Sequence, residues 1–400
     1  MKTYASDTFL NRDGTLNISC TAPMSIVCLG GSLTELGVRW VEIVREYCAK
    51  KFPHREVTIY NAGVGGTGST FGAARFEAQV LSKNPDFVII EFSVNDMKAD
   101  ETASKMHMEN MVRQALKAEK VPCILFAHTP VAVDKDNENY SAFMRQVNWK
   151  GEIAAHYGID TVNIYDTFYR HYEQEKTANP ALTYREFLAP YYREAVNPLF
   201  GDFYDVHPKL EGYELYAEAF CTAFEERLPE ILSRPKENTV FCTEGADYVN
   251  AVYHMFSHTS DRLTYEGNWD VWSIEHQYTN EDKNAYIYDK RYRYPFFDLG
   301  MRRAYRQKGA AFSFKTTANV VALYYMAAKS GEIADVFADG VHVGEVSARM
   351  GAQQPFMSAR VSLNNQENRE VTVRFAIREP SEELYSYCFG DVIEIFKEEK

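Results

Sequence analysis

Phe87-Val-Ile-Ile90 is apolar at every position, and so is Cys123-Ile-Leu-Phe126. A strand with one face in water alternates apolar and polar side chains. One without alternation is covered on both faces, as in a parallel sheet between two layers of helices. Between these two runs lies a helical pattern from Ala103 to Glu119, long enough for the crossover connection that parallel strands require. The rhythm extends both ways. Upstream, Ser25 to Leu29 precedes Val38 to Lys51, and Val57 to Tyr60 precedes Thr70 to Leu81; downstream, a helical stretch from about Ser141 to Tyr157 leads to Thr161 to Ile164. Strands alternating with helices in this way predict a three-layer α/β unit, with any ligand site at the carboxyl ends of the strands.

The periodicity changes twice further on. Between Tyr165 and Tyr204 the chain is rich in aromatic and charged residues, including Phe168, Tyr169, Tyr184, Phe187, Tyr191, Tyr192 and Phe200. This reads as an insertion packed on the rim of the sheet or a lid over it. Glu211 to Leu228 then has the spacing of an amphipathic helix. After Pro235 the period shifts to two, in Phe312-x-Phe314, Val320 to Tyr325, Ile333 to Phe337, Val341 to Val346, Val371 to Ile377 and Val392 to Phe396. Turn signals at Lys329-Ser-Gly331 and Ala338-Asp-Gly340 separate them as in an all-β sandwich. The expected organisation is an extension at 1–23 that adds a strand, an α/β domain at 24–235 and a β-sandwich domain at 236–400.

Composition narrows the function. With 400 residues, 43 Lys plus Arg and 56 Asp plus Glu, the formal net charge is −13, which repels phosphate backbones and argues against a nucleic-acid partner. No apolar run approaches the roughly 20 residues of a membrane span. Asp7, Arg12 and Asp13 interrupt the opening residues where a secretory signal needs an apolar core, and cysteines 20, 28, 48, 123, 221, 242 and 388 form no C-x-x-C pair. A cytoplasmic location and reduced thiols are the expectation. Nothing in the sequence sets an oligomeric state.

Several loops at the predicted carboxyl edge carry chemistry. Leu29-Gly-Gly-Ser-Leu-Thr-Glu-Leu-Gly37 places Ser32 just past a strand and just before a helix, where a nucleophile can be presented; a Gly-Gly-Ser turn with an N-cap serine is the plainer reading. Asn61-Ala-Gly-Val-Gly-Gly-Thr-Gly-Ser69 has glycines that let backbone N–H groups approach an oxyanion. It also reads as a tight connection or a phosphate loop, although the Lys-Ser/Thr pair of the Walker pattern is missing. The next loop is Glu91-Phe-Ser-Val-Asn-Asp96, and near the end of the α/β unit comes Asp205-Val-His-Pro-Lys-Leu-Glu-Gly212.

In this order the four segments resemble the blocks of the SGNH or GDSL-type serine hydrolases over about residues 24–232. The resemblance implies a flavodoxin-like α/β/α domain, here followed by a jelly-roll-like sandwich. It also implies Ser32 as nucleophile, His207 as general base, and an oxyanion hole from the Ser32 and Gly66 N–H groups and the Asn95 amide. Gly31 replaces the family's aspartate before the serine, and Ser93 replaces its glycine before x-Asn-Asp. The family's triad aspartate lies three residues before the histidine, where this chain has Tyr204. Asp205 is the expected orienting acid; Asp202 and a backbone carbonyl are the alternatives.

His128 and Gly31 are candidate substrate contacts on the same edge. His254 and His258 lack a nearby third ligand, and no metal or cofactor is expected. Asn268-Trp-Asp-Val-Trp272 offers indoles either to a sugar ring or to the core, the core being favoured. The expected partner is a small-molecule or oligosaccharide ester, and the expected activity is removal of acetyl groups from carbohydrates. The competing readings are a lysophospholipase or thioesterase and a catalytically degenerate carbohydrate-binding protein.

Overall fold

The computed structural model describes residues 2–97, 99–195, 203–243, 248–272, 301–303, 307–327, 331–349, 354–357, 360–380 and 389–397. By their contacts these form two compact units, Met1–Gly72 with Gln79–Val249, and Ala73–Ala78 with Asn250–Lys400.

The first unit is built on five parallel strands: β1 (Met24–Gly30), β2 (Val57–Gly63), β3 (Phe87–Glu91), β4 (Cys123–His128) and β5 (Asp160–Asn163). Their spatial order is β2-β1-β3-β4-β5. This is the flavodoxin-like order, in which the chain reverses direction across the sheet beside β1 and leaves a crevice at the carboxyl ends of β1 and β3. Every residue of β3 and β4 is buried, which accounts for the absence of alternation in their sequences.

Short helices α1 (Ser32–Glu35) and α3 (Ser69–Ala74) follow β1 and β2; α2 (Val38–Lys51) lies between them. Next come α4 (Ser93–Asp96), α5 (Glu101–Lys117), α6 (Glu138–Tyr157), α7 (Ile164–Ala178) and α8 (Tyr184–Leu188). The last helix of the unit is α9 (Leu210–Ile231), which packs on α2 with Trp40 stacked on Phe220 at 4.9 Å between ring centroids. The opening segment adds Thr3–Tyr4 as a strand parallel to Lys120–Val121, and Phe9 is buried against Phe52 and the Arg55 guanidinium.

Among the described residues the aromatic insertion is largely packed as core, and Phe200 lies outside them. Tyr165, Phe168, Tyr172, Tyr184, Phe187 and Tyr192 are all buried, and their rings meet in edge and tilted contacts. The insertion also supplies β6 (Tyr192–Glu194), which pairs antiparallel with β7 (Tyr204–Pro208).

The second unit contains β8 (Val252–Ser257), β9 (Thr264–Glu266), β10 (Asp270–Trp272), β11 (Met301–Arg303), β12 (Ala311–Thr316), β13 (Val320–Ala327) and β14 (Ile333–Ala338). It continues with β15 (Val341–Ser347), β16 (Gln354–Met357), β17 (Val361–Ser362), β18 (Val371–Glu379) and β19 (Phe389–Phe396). One antiparallel sheet has the order β9-β12-β18-β14-β15; the other runs β10-β11-β19-β13-β16, with β8 also on β19 and β17 also on β13. Phe312, Phe314, Val336, Val373 and Phe375 of the first sheet pack against Val321, Leu323 and Val392 of the second. This is a β-sandwich core. Asp339 and Gly340 both have positive φ, 47° and 81°, as the tight hairpin between β14 and β15 requires. Trp269 packs against the same core, beside Phe312; the Trp272 side chain lies outside the described residues.

Candidate active site

Loops after β1, β2 and β3 leave the carboxyl edge of the sheet at the crevice, and β7 brings His207 to them. After β1 the chain turns through Gly31, the N-cap residue of α1, so that Ser32 opens the helix. Gly31 has no room for a side chain, because a Cβ there would stand 2.2 Å from Asn95 Oδ1 and 3.1 Å from the Thr67 carbonyl. As the loops stand here, a side chain at 31 would have to displace Asn95.

The loop after β2 is tied down at most of its length. Asn61 Oδ1 accepts from the Gly63 N–H at 2.9 Å while its Nδ2 donates to the Thr34 carbonyl at 2.8 Å, joining this loop to α1. Val64 donates to the Gly30 carbonyl at 3.0 Å, Gly65 to Glu35 Oε2 at 2.9 Å, and Ser69 to Asp96 Oδ1 at 2.9 Å. Gly66, with φ +73°, is exposed at the tip, and its N–H has no acceptor among the described residues. A residue other than glycine would be strained at that angle.

His207 lies on β7. Its Nε2 is 2.8 Å from Ser32 Oγ and its Nδ1 is 2.7 Å from Asp205 Oδ1, which also accepts the His207 main-chain N–H at 2.9 Å. With Nδ1–H donating to a carboxylate, Nε2 is left as the acceptor for the serine hydroxyl. Along β7 burial alternates: Tyr204, Val206 and Pro208 point inward, while Asp205 and His207 share the outer face, with 47 % and 34 % of their side chains exposed. In extended backbone the residues that share a face are two apart. A histidine on a strand therefore takes its acid from position −2, and Tyr204, at −3, turns inward and donates to the Arg185 carbonyl at 2.8 Å.

Residues 28–215 match the GDSL-like Lipase/Acylhydrolase family. The first unit therefore carries a GDSL-like lipase/acylhydrolase domain. No curated protein matches significantly in sequence. Among solved structures, a two-domain esterase described as active on acetylated mannans is similar over nearly the whole chain. Its complex with mannopentaose has a TM-score of 0.65 at 22 % identity, covering 96 % of this chain and 93 % of that one. A second structure of that esterase gives 0.64 at 23 %, covering 96 % and 94 %. The likeness in fold extends through both units.

Within the GDSL-like domain the structure brings Ser32, His207 and Asp205 into one hydrogen-bonded line and sets Gly31 and Asn95 beside the serine loop. Asp202 lies outside the described residues. His128 does not reach the substrate side. It is fully buried at the end of β4, its Nδ1 3.3 Å from Ser93 Oγ, and burial next to Lys150 holds its pKa down at about 3. It is the last residue of the strand, and the strand is buried along its whole length.

Sequence reasoning passed over the polar residues beneath the loops. Glu91 is fully buried and accepts from Thr34 Oγ1 at 3.1 Å and Thr129 Oγ1 at 2.6 Å; burial raises its carboxyl pKa. Lys150 and Asp96 form a buried ion pair at 3.4 Å. A glutamate closing an otherwise apolar strand was the one visible sign of this layer; a lysine inside a helical pattern gives none. Among the described residues no cluster of His, Cys, Asp and Glu has the arrangement of a metal site. Among them, too, no helix is long and apolar enough to cross a membrane.

Proposed function

We propose that the protein is a serine ester hydrolase that removes short acyl groups, acetyl above all, from carbohydrate esters. The observation that carries this reading is the Asp205–His207–Ser32 line, with contacts of 2.7 and 2.8 Å, at the mouth of a GDSL-like domain. Ser32 Oγ attacks the ester carbonyl as His207 Nε2 takes its proton, and the imidazolium that forms is held by Asp205. The carbonyl oxygen, now an oxyanion, accepts from the Ser32 and Gly66 N–H groups and from Asn95 Nδ2, the amide end left free when Oδ1 faces Gly31. Each such donor contributes about 3 kcal/mol to transition-state stabilisation. His207 then returns the proton to the leaving alcohol. A water activated by the same nitrogen hydrolyses the acyl-enzyme and regenerates Ser32.

The substrate class is supported by architecture. The esterase active on acetylated mannans shares the fold through both units, and a sugar hydroxyl is a leaving group that this machinery protonates without further help. The test is hydrolysis of p-nitrophenyl acetate beside p-nitrophenyl octanoate, with acetate release from acetylated manno-oligosaccharides measured in parallel. Acetate should turn over faster than octanoate, and Ser32→Ala should abolish both. Preference for octanoate would redirect the reading to a lipid or thioester substrate. Turnover no greater than that of Ser32→Ala on every ester would leave a sugar-binding protein.

A further inference from the structure

Beneath the loops of the site the buried polar layer contains a lysine. Lys150, on α6, is 1 % exposed, and its ammonium lies 3.4 Å from the equally buried Asp96 Oδ2. One turn earlier on the same helix face, Gln146 Nε2 donates to the Asp96 carbonyl at 3.3 Å. Asp96 in turn accepts the Ser69 N–H at 2.9 Å through Oδ1, at the foot of the glycine loop, and it directly follows Asn95. One helix face thus holds one aspartate, and that aspartate joins the loop carrying Gly66 to the helix carrying Asn95.

Burying an ammonium group is expensive, and a well-packed apolar side chain would serve stability as well or better. A buried lysine at this junction therefore calls for another reason. We propose that Lys150 is a positioning residue for the oxyanion site, fixing the Gly63–Gly68 loop against Asn95 through Asp96. This rests on the reading of Gly66 and Asn95 as oxyanion donors. The surrounding groups are consistent with one cation serving one anion. Burial lowers the Lys150 pKa while Asp96 and Glu91 push it back up, burial raises that of Glu91, and His128 is held neutral. A donor displaced by as little as an ångström loses much of its effect on the transition state while substrate binding is largely spared.

The experiment compares wild type, Ser32→Ala, Lys150→Met, Asp96→Asn and the double variant Lys150→Met/Asp96→Asn on p-nitrophenyl acetate, with near-ultraviolet circular dichroism to verify folding. Lys150→Met should lower kcat on the order of tenfold to a hundredfold with KM within about a factor of two. Because both residues act along one connection, the double variant should lose no more than the worse single one. Should Lys150→Met alone fail to fold, the double variant, which leaves no unpaired buried charge, is compared with Asp96→Asn and should match it. Unchanged kcat in folded Lys150→Met, losses that multiply in the double variant, or an effect confined to KM would overturn the proposal. Wild-type turnover equal to that of Ser32→Ala would remove the oxyanion reading, and this inference with it. Normal wild-type turnover with indifferent Lys150 variants would remove this inference alone.

Discussion

Asp205 accepts both from the His207 ring and from the His207 main chain, so it orients the imidazole while bracing the strand that carries it. Nearly half of its side chain faces solvent. A carboxylate so placed stabilises an imidazolium less than a buried one, because water screens the pair. Asp205→Ala should therefore lower kcat by about 10² to 10³, well short of the loss in Ser32→Ala, a difference that single-turnover kinetics on p-nitrophenyl acetate will read. Gly31 makes the opposite kind of prediction. Restoring the family's aspartate with Gly31→Asp should reduce kcat by at least about tenfold, since the new Cβ displaces Asn95, the side chain expected to donate to the oxyanion. An active Gly31→Asp would mean that Asn95 contributes little. Ser32, His207 and Asn95 were singled out because four sequence blocks occur in one order, not because any one of them is telling alone. His128 ends the fourth strand as its sequence suggests, but its side chain is buried, which a strand covered on both faces does not reveal residue by residue.

At the scale of elements, the triad spacing follows from the backbone carrying it. On a strand, position −2 shares the face of the histidine and position −3 opposes it. Moving the acid, as in Tyr204→Asp/Asp205→Ala, should then recover none of the activity lost in Asp205→Ala. It should also lower Tm, because a carboxylate replaces a buried phenol that hydrogen-bonds to Arg185. Recovery of kcat would show that β7 is free to slip in register. β3 and β4 were readable because two-sided burial writes itself as unbroken apolar runs, and the other parallel strands because they alternate with helical patterns. The pairing of β6 with β7 was not, because Tyr192 and Tyr204 are strand residues embedded in a stretch whose aromatic content serves a packed cluster. The short strands of the second unit, such as Thr264–Glu266 and Val361–Ser362, are equally silent, having too few residues to show a period.

For the molecule as a whole, the buried layer under the site makes stability depend on acidity. The His128 pKa falls from an ordinary 6.5 to about 3 on folding, so below pH 6.5 the unfolded chain binds the proton that the folded chain refuses. The contribution is fully present above pH 6.5 and is lost as pH falls toward 3, at about 1.4 kcal/mol per pH unit. Wild type should lose Tm faster than His128→Gln between pH 6.5 and 4, with the two curves running parallel above 7; parallel curves throughout would mean that His128 is not held neutral. The second unit holds a different consequence. Its last strand, β19, is central and pairs with β8, the first, as well as with β11 and β13. Val252 pairs with Phe396, so this sheet closes only when segments far apart in the chain meet, which is slow. The parallel strands of the GDSL-like domain pair with strands much nearer in the chain. Refolding of the sandwich should therefore lag that of the GDSL-like domain, with its strand edges open meanwhile to pairing with other chains.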